Sequence, residues 1–203
     1  QVAVHLAAPE GCPRFVGRVV RGVNLTAATP LWLTEKLRRS GIRSIDPVVD
    51  VTNYIMLELN QPMHAYDLNR LTGDITVRQS IGGEQLTLLN GSETTLAAGT
   101  LLITDASGPI GMAGIMGGAS TAVQSDTQDI YLEAAFFAPI AIAGRARAYA
   151  MHTDAGHRFE RGVDYQGQVR AMERATQLLL SIAGGDPGPL VDTVSEADLP
   201  KAI

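Results

Sequence analysis

Apolar side chains recur at helical spacing in several segments of the chain. Over residues 48–59 they occupy positions i, i+3, i+4, i+7 and i+8, which places them on one face of a helix. The same spacing predicts a helix over residues 168–183. Shorter helices are predicted to begin at Pro30 and to extend over residues 139–149, because proline is favoured at the first helical position.

Other segments have the pattern of strands. Residues 14–25 are rich in β-branched side chains that roughly alternate with polar ones. From residue 74 onward, short apolar runs are separated by turn residues, and they predict strands over 75–80, 84–89, 100–104, 110–116 and 130–137. Residues 63–67 are predicted to form a loop. Helices that flank a block of consecutive strands favour the α+β class with a mainly antiparallel sheet.

Composition and charge narrow the possible roles. The 203 residues are 45% hydrophobic and 18% charged, as expected of one globular domain or two small interlocked ones. The net charge of −5 has the wrong sign for a domain that grips a phosphate backbone unaided. A single cysteine excludes an internal disulfide. The sequence also has no apolar run of about 18 residues, the length that is needed to span a bilayer. We therefore expect a cytoplasmic protein, and the start at Gln1 suggests a fragment of a longer chain.

Four common enzymatic motifs are absent from the sequence. There is no P-loop and no dinucleotide-binding glycine fingerprint between a strand and a helix. There is also no GxSxG nucleophile elbow and no HExxH zinc helix. An enzyme built on this chain would have to activate water or use an unusual nucleophile.

Two single residues are candidates for chemistry. His64 could orient or activate a water near neutral pH, or it could satisfy backbone carbonyls in a tight loop. Glu133 shares one face of its predicted strand with Tyr131 and Ala135, and a lone carboxylate there is costly unless it is exposed or partnered. Either Glu133 faces water at a sheet edge, or it awaits a hydrogen-bond donor on a ligand.

Residues 151–162 concentrate two histidines, two arginines and two acidic residues. His152 and His157 are five positions apart, which fits no common zinc template. The arginines and Glu160 could instead form a structural cluster of ion pairs.

Small polar residues and glycines leave similar alternatives open. Thr52 could bond back to the preceding helical turn, and Asn53 could be a solvent-facing or capping amide. Gly114, Gly117 and Gly118 permit the close approach of a ligand to the backbone, although a plain hairpin turn explains them almost as well.

Longer strings carry a resemblance to a known family. They are DVTNY at 50–54, QPMHAYD at 61–67, MAGIMGG at 112–118, GRAR at 144–147 and HTDAGHRFERGVD at 152–164. In these strings the chain resembles the B3/B4 region of bacterial phenylalanyl-tRNA synthetase β subunits from about residue 13 to residue 192. Gly156 stands where the family usually has serine, and Tyr165 stands where it commonly has proline.

The resemblance implies a fold and an activity. The fold would be two interlocked subdomains, B3 and B4, with a leader over 1–13, the editing domain over 14–192 and a linker over 193–203. The activity would be hydrolysis of Tyr-tRNA(Phe), an ester made in error by the active site on the α subunit. The partners would be the tRNA(Phe) 3′ end and the α subunit of an α2β2 tetramer. No cofactor or metal is expected in this region, since ATP and Mg serve the complete synthetase.

The resemblance also implies roles for particular residues. His64 and Thr153 would be catalytic, and the residues that bind the substrate would be Glu133, Gly117, Ala155, Thr52 and Asn53. These roles meet a physical need, because a pocket built for phenylalanine cannot strongly exclude an isostere that only adds a hydroxyl. A second site with a carboxylate can accept a hydrogen bond from that hydroxyl. Two alternatives remain: a docking module with a degenerate pocket, and a free-standing protein of the B3/B4 type.

Overall fold

The computed structural model describes residues 2–200, and most of its strands are short. In chain order they are β1 (Val4–Leu6), β2 (Arg14–Arg21), β3 (His64–Asp67), β4 (Ile75–Gln79), β5 (Glu84–Thr87), β6 (Glu93–Leu96), β7 (Leu101–Asp105), β8 (Gly108–Met112), β9 (Met116–Gly117), β10 (Ile130–Phe136), β11 (Asp186–Pro187) and β12 (Val191–Val194). Turns that require a left-handed backbone separate several of them, as at Gly91 and Gly108.

Two long helices and several short ones accompany the strands. The helices are α1 (Leu31–Arg39), α2 (Pro47–Leu59), α3 (Pro139–Ile142), α4 (Arg145–Ala148), α5 (Asp154–Phe159) and α6 (Gln168–Ala183). The side chain of Asp46 caps α2 by accepting hydrogen bonds from the amides of Val48 and Val49. None of the helices within residues 2–200 is long and apolar enough to cross a membrane.

The strands form two larger sheets and one hairpin. Sheet A has the order β1-β4-β7-β8-β9, sheet B has the order β11-β2-β10-β3 with β12 also paired to β2, and β5 pairs with β6. Pairing is antiparallel except between β1 and β4, so the predicted α+β class with mainly antiparallel sheets is confirmed.

Strand β10 lies at the centre of sheet B and is buried on both faces. One face, with Leu132 and Ala134, packs with Met172 of α6. The opposite face, with Tyr131, packs with residues of sheet A such as Met112. The predicted alternation in this strand is confirmed, and the layer between the two sheets is where the candidate site lies.

Several predicted elements differ from the structure. Residues 63–67 are not a loop, because 64–67 form β3, whose backbone pairs with β10. The single helix predicted over 139–149 is wrong as well, since Gly144 has φ 73° and divides it into α3 and α4. No pattern of apolar and polar residues predicts four of the strands, namely β1, β6, β11 and β12. Strand β1 lies within the predicted leader.

Candidate functional site

A cavity of about 80 Å³ opens between sheet B and sheet A. Its wall includes His64, Tyr66, Met112, Gly117, Glu133 and Ala155. These residues come from β3, β8, β9, β10 and the first turn of α5, so five separate elements meet there. The cavity brings four of the sequence-predicted site residues together, namely His64, Gly117, Glu133 and Ala155.

The register of sheet B sets two titratable side chains, Glu133 and His64, side by side. Glu133 of β10 is directly opposite His64 of β3 in an antiparallel ladder, so both project from the same face. The segment before His64 is anchored by Gln61, whose amide donates to the carbonyl of Ala135 at 2.9 Å and whose carbonyl accepts from Gln168 at 3.0 Å. This anchoring fixes the position of β3 against β10.

Glu133 is enclosed, so its predicted alternative as a water-facing residue at a sheet edge is wrong. It is 6% exposed and lies on a strand with neighbours on both sides. Its Oε2 accepts a hydrogen bond of 2.5 Å from the hydroxyl of Tyr66. Burial raises the pKa of Glu133 to about 7, and the Tyr66 hydrogen bond opposes that rise. The carboxyl group therefore changes charge close to neutral pH.

His64 presents an unpaired ring nitrogen beside the cavity. Its Nε2 is shielded from solvent and has no hydrogen-bond partner among residues 2–200. Burial lowers the pKa of His64 to about 4, so the imidazole is neutral at pH 7. Its ring meets the ring of Tyr66 edge-on, with centroids 4.5 Å apart. A neutral imidazole can orient a water molecule but is a weak base.

Gly117 leaves the space that His64 occupies. A β-carbon built at Gly117 would lie 2.6 Å from Nε2 of His64, closer than side-chain atoms approach. Gly117 does not have a positive φ, whereas Gly114 in the preceding turn does, at 68°. The left-handed turn therefore requires a glycine at position 114, whereas the close approach of the His64 imidazole requires a glycine at position 117.

Three predicted site residues do not line the cavity. Thr153 caps α5, where its Oγ1 accepts from the amide of Gly156 at 3.0 Å, and it faces a neighbouring groove with Arg147. Thr52 donates to the carbonyl of Val49 at 3.0 Å, which is the bond to the preceding turn. Asn53 is absent from the lining of the cavity. The roles of these three residues stay predictions.

The charged segment around α5 consists partly of ion pairs. Arg158 pairs with Asp154 at 3.1 Å and Arg161 pairs with Glu160 at 2.7 Å, as the structural alternative expected. Within residues 2–200, no three metal-binding side chains converge.

Tyr66 is the site residue that the sequence reasoning missed. It lies two positions after His64, so on a strand both side chains share one face. The loop predicted over residues 63–67 has no period of two, so the prediction does not place Tyr66 beside His64.

We expect the Glu133→Gln variant to gain stability relative to the wild type as pH rises. The folded protein holds a proton at Glu133 that the unfolded chain releases near pH 4.5. The stability that this proton contributes is therefore fully present below pH 4.5 and is lost as pH rises through 7. The shift corresponds to about 3 kcal/mol at most. Urea denaturation of both proteins from pH 4.5 to 8 measures the difference, and parallel curves would contradict the burial of this carboxyl group.

The fold is that of a known synthetase fragment. The structure aligns with an N-terminal fragment of the phenylalanyl-tRNA synthetase β subunit from Pyrococcus horikoshii, with a TM-score of 0.61 over 96% of this chain and 55% of that chain. At 14% sequence identity this likeness concerns the fold alone.

Sequence similarity then gives the family. The model of the B3/4 domain matches residues 11–184, and the chain belongs to this family. It is 59% identical over 201 residues to the phenylalanine–tRNA ligase β subunit of Hahella chejuensis and 60% identical over 197 residues to that of Dickeya dadantii. These matches cover 98% and 97% of the chain but 25% of each relative, so the chain spans about a quarter of their length. The resemblance stated from the sequence strings is confirmed.

Proposed function

We propose that this chain is the editing domain of a phenylalanine–tRNA ligase β subunit and hydrolyses Tyr-tRNA(Phe). The observation that carries the proposal is the buried Glu133 carboxyl group in the cavity wall, with Tyr66 on Oε2 and no hydrogen bond to Oε1 from the described residues. The phenolic hydroxyl of tyrosine donates to this free oxygen. Phenylalanine has no donor to offer, and burying a carboxylate oxygen unpaired is costly.

The hydrolytic step follows from the position of His64. With the phenol at Glu133, the ester end of the amino acid lies elsewhere in the cavity, where the imidazole of His64 accepts a hydrogen bond from a water. The water oxygen attacks the ester carbonyl carbon, the bond to the ribose oxygen breaks, and the proton of the water passes to that leaving oxygen. Free tyrosine and tRNA result. No covalent enzyme intermediate is needed.

The other predicted residues have supporting places in this proposal. Ala155 and Gly117 leave room for the substrate, and Thr153 acts through Ala155, because it caps the helix that carries this alanine. Thr52 and Asn53 remain predicted pocket residues. The hydrolytic site uses neither metal nor cofactor, and ATP and Mg serve the synthetic reaction of the complete ligase.

The distribution of charge is compatible with a tRNA that other parts of a ligase hold and whose end reaches this cavity. The chain as a whole carries a net charge of −5, but the segment 144–161 has four arginines against two acidic residues. Within residues 2–200, Arg145 and Arg147 form no ion pair, and Arg147 lines the groove that also borders Gly156 of α5. We therefore assign the tRNA(Phe) 3′ end to this side, and the rest of an α2β2 tetramer, which includes the α subunit, holds the remainder of the tRNA.

We expect His64→Ala to slow hydrolysis of Tyr-tRNA(Phe) by about 10²-fold, because the attacking water loses the group that positions it. The measurement is single-turnover deacylation by the assembled ligase. Because the pKa of His64 is about 4, wild-type activity should show no inflection from this group between pH 5.5 and 8.

The matched control is His5→Ala, which removes an exposed imidazole paired with Asp74 on sheet A, outside the cavity. It should leave the rate unchanged. A His64→Ala ligase that hydrolyses Tyr-tRNA(Phe) at the wild-type rate would contradict the proposal.

A further inference from the structure

Tyr66 contacts both active groups of the cavity, and the proposed function does not account for it. Its side chain is 1% exposed. Its hydroxyl donates to Oε2 of Glu133 at 2.5 Å, and its ring stands at 87° to that of His64. A tyrosine needed only for packing would have no reason to place its hydroxyl on the one buried carboxyl group of the wall.

Building on the proposed function, we propose that Tyr66 is a positioning residue that determines specificity by occupying Oε2 of Glu133 and leaving Oε1 for the phenol of the substrate. The carboxyl group of a glutamate can otherwise rotate about its last bond and present either oxygen. The hydrogen bond from Tyr66 fixes this rotation. Two phenols then share one carboxylate, one from the protein and one from the substrate.

The surroundings of Glu133 make this hydrogen bond electrostatically important. The titratable groups that face it are Tyr66 and His64 of β3, Tyr131 on its own strand, and Cys12, which precedes β2. None of these groups is a cation at neutral pH, because the pKa of His64 is about 4 and the side chains of tyrosine and cysteine have no cationic form. Burial raises the pKa values of both tyrosines and of Cys12, so these groups are also not anions. The hydroxyl of Tyr66 is therefore the donor that favours the ionised form.

Ionisation matters because the two forms of Glu133 treat the substrate differently. A carboxylate accepts strongly from a phenol, since hydrogen bonds to a charged acceptor are about twice as strong as neutral ones. A protonated carboxyl group is a weaker acceptor and tolerates phenylalanine better. Tyr66 thus keeps the carboxyl group in the form that distinguishes the two amino acids.

The test uses Tyr66→Phe in the assembled ligase, with hydrolysis of Tyr-tRNA(Phe) followed from pH 5.5 to 8.5. In the wild type we expect kcat/KM to fall on the acid side with a midpoint near 7, which follows Glu133. Without the Tyr66 hydroxyl the midpoint should rise by about one pH unit or more, so the rate at pH 7 falls about fivefold or more and recovers at higher pH.

Tyr131→Phe is the matched control. It removes the same oxygen from a tyrosine on the same face of the same sheet, but the hydroxyl of Tyr131 has no hydrogen-bond partner among residues 2–200. The control should keep the wild-type midpoint. A Tyr66→Phe profile that coincides with the Tyr131→Phe profile would overturn the inference.

A second measurement separates this inference from the proposed function. The carboxyl carbon of Glu133 is titrated by NMR in protein labelled with ¹³C-glutamate, with Glu133→Gln used to assign the signal. Tyr66→Phe should raise the midpoint, and 3-fluorotyrosine at position 66, a stronger donor, should lower it. An unshifted midpoint overturns the role of Tyr66 whether or not the ligase edits, whereas a wild type that does not hydrolyse Tyr-tRNA(Phe) overturns the proposed function.

Discussion

Replacing Glu133 with glutamine should remove most of the preference of the assembled ligase for Tyr-tRNA(Phe) over Phe-tRNA(Phe). A site built to hydrogen-bond a substrate hydroxyl can discriminate by roughly 10⁴- to 10⁵-fold. Glutamine keeps the size of the side chain and can still accept from Tyr66, but it has lost both the charge and the second acceptor oxygen. We therefore expect the ratio of the two kcat/KM values to fall by at least about 10²-fold.

Glu93→Gln provides the control for this substitution. Glu93 begins β6 and is exposed, so the same chemical change on another strand removes a surface charge alone. Its selectivity should equal that of the wild type. The Glu133→Gln variant should also be the more stable of the two at pH 8. Higher stability together with lower selectivity is the combination expected when a residue of a functional site is replaced. Unchanged selectivity in Glu133→Gln would remove the basis of the proposed function.

Adding a single methyl group at Gly117 should also severely slow hydrolysis of Tyr-tRNA(Phe). The new β-carbon would lie 2.6 Å from Nε2 of His64, and the imidazole would have to move away from its place beside the cavity. A displacement of about 1 Å of a group that positions a reactant can cost 10²-fold in rate. We therefore expect Gly117→Ala to slow hydrolysis of Tyr-tRNA(Phe) at least about 10²-fold, and Gly117→Trp, which also fills the cavity, to abolish it.

Gly111→Ala is the matched control on the adjacent strand, because Gly111 also lines the cavity but a β-carbon there has no atom of His64 among its nearest neighbours. Gly111 is the cross-strand partner of Gly117, and a β-carbon there meets its nearest neighbour, the Cα of Gly117, at an ordinary 3.5 Å. Aminoacylation with phenylalanine, measured in parallel, should be unchanged in all three variants. If Gly117→Ala and Gly111→Ala edit equally well, the space beside His64 has no bearing on the reaction.

Much of the fold follows from local pattern. Helix α6 was predicted over the residues where it occurs, and α2 was predicted to within one residue, because each has a long apolar stripe at helical spacing. Strand β10 was identified as well, since a run that is apolar apart from Glu133 and has β propensity can be recognised without its partner strands. Short strands such as β3 are different, because their backbone conformation is imposed by the neighbour with which they pair.

The same distinction explains what could be predicted of the site. Long sequence strings pointed to His64, Gly117 and Ala155, and the lone carboxylate of a predicted strand pointed to Glu133. The structure brings all four residues to one cavity. The hydrogen bond between Tyr66 and Glu133 joins residues 67 positions apart, and it depends on a register between β3 and β10 that no local pattern contains. The environment of Glu133, and with it the raised pKa of its carboxyl group, could not be foreseen for the same reason.

The most direct test of the account is a crystal structure of the protein with bound L-tyrosine. We predict that the phenolic oxygen lies within hydrogen-bond distance of the Glu133 carboxyl group while Tyr66 still donates to the other oxygen, and that the carboxylate end of the ligand lies near His64. A tyrosine bound with its ring outside this cavity, or with its hydroxyl away from Glu133, would contradict the account.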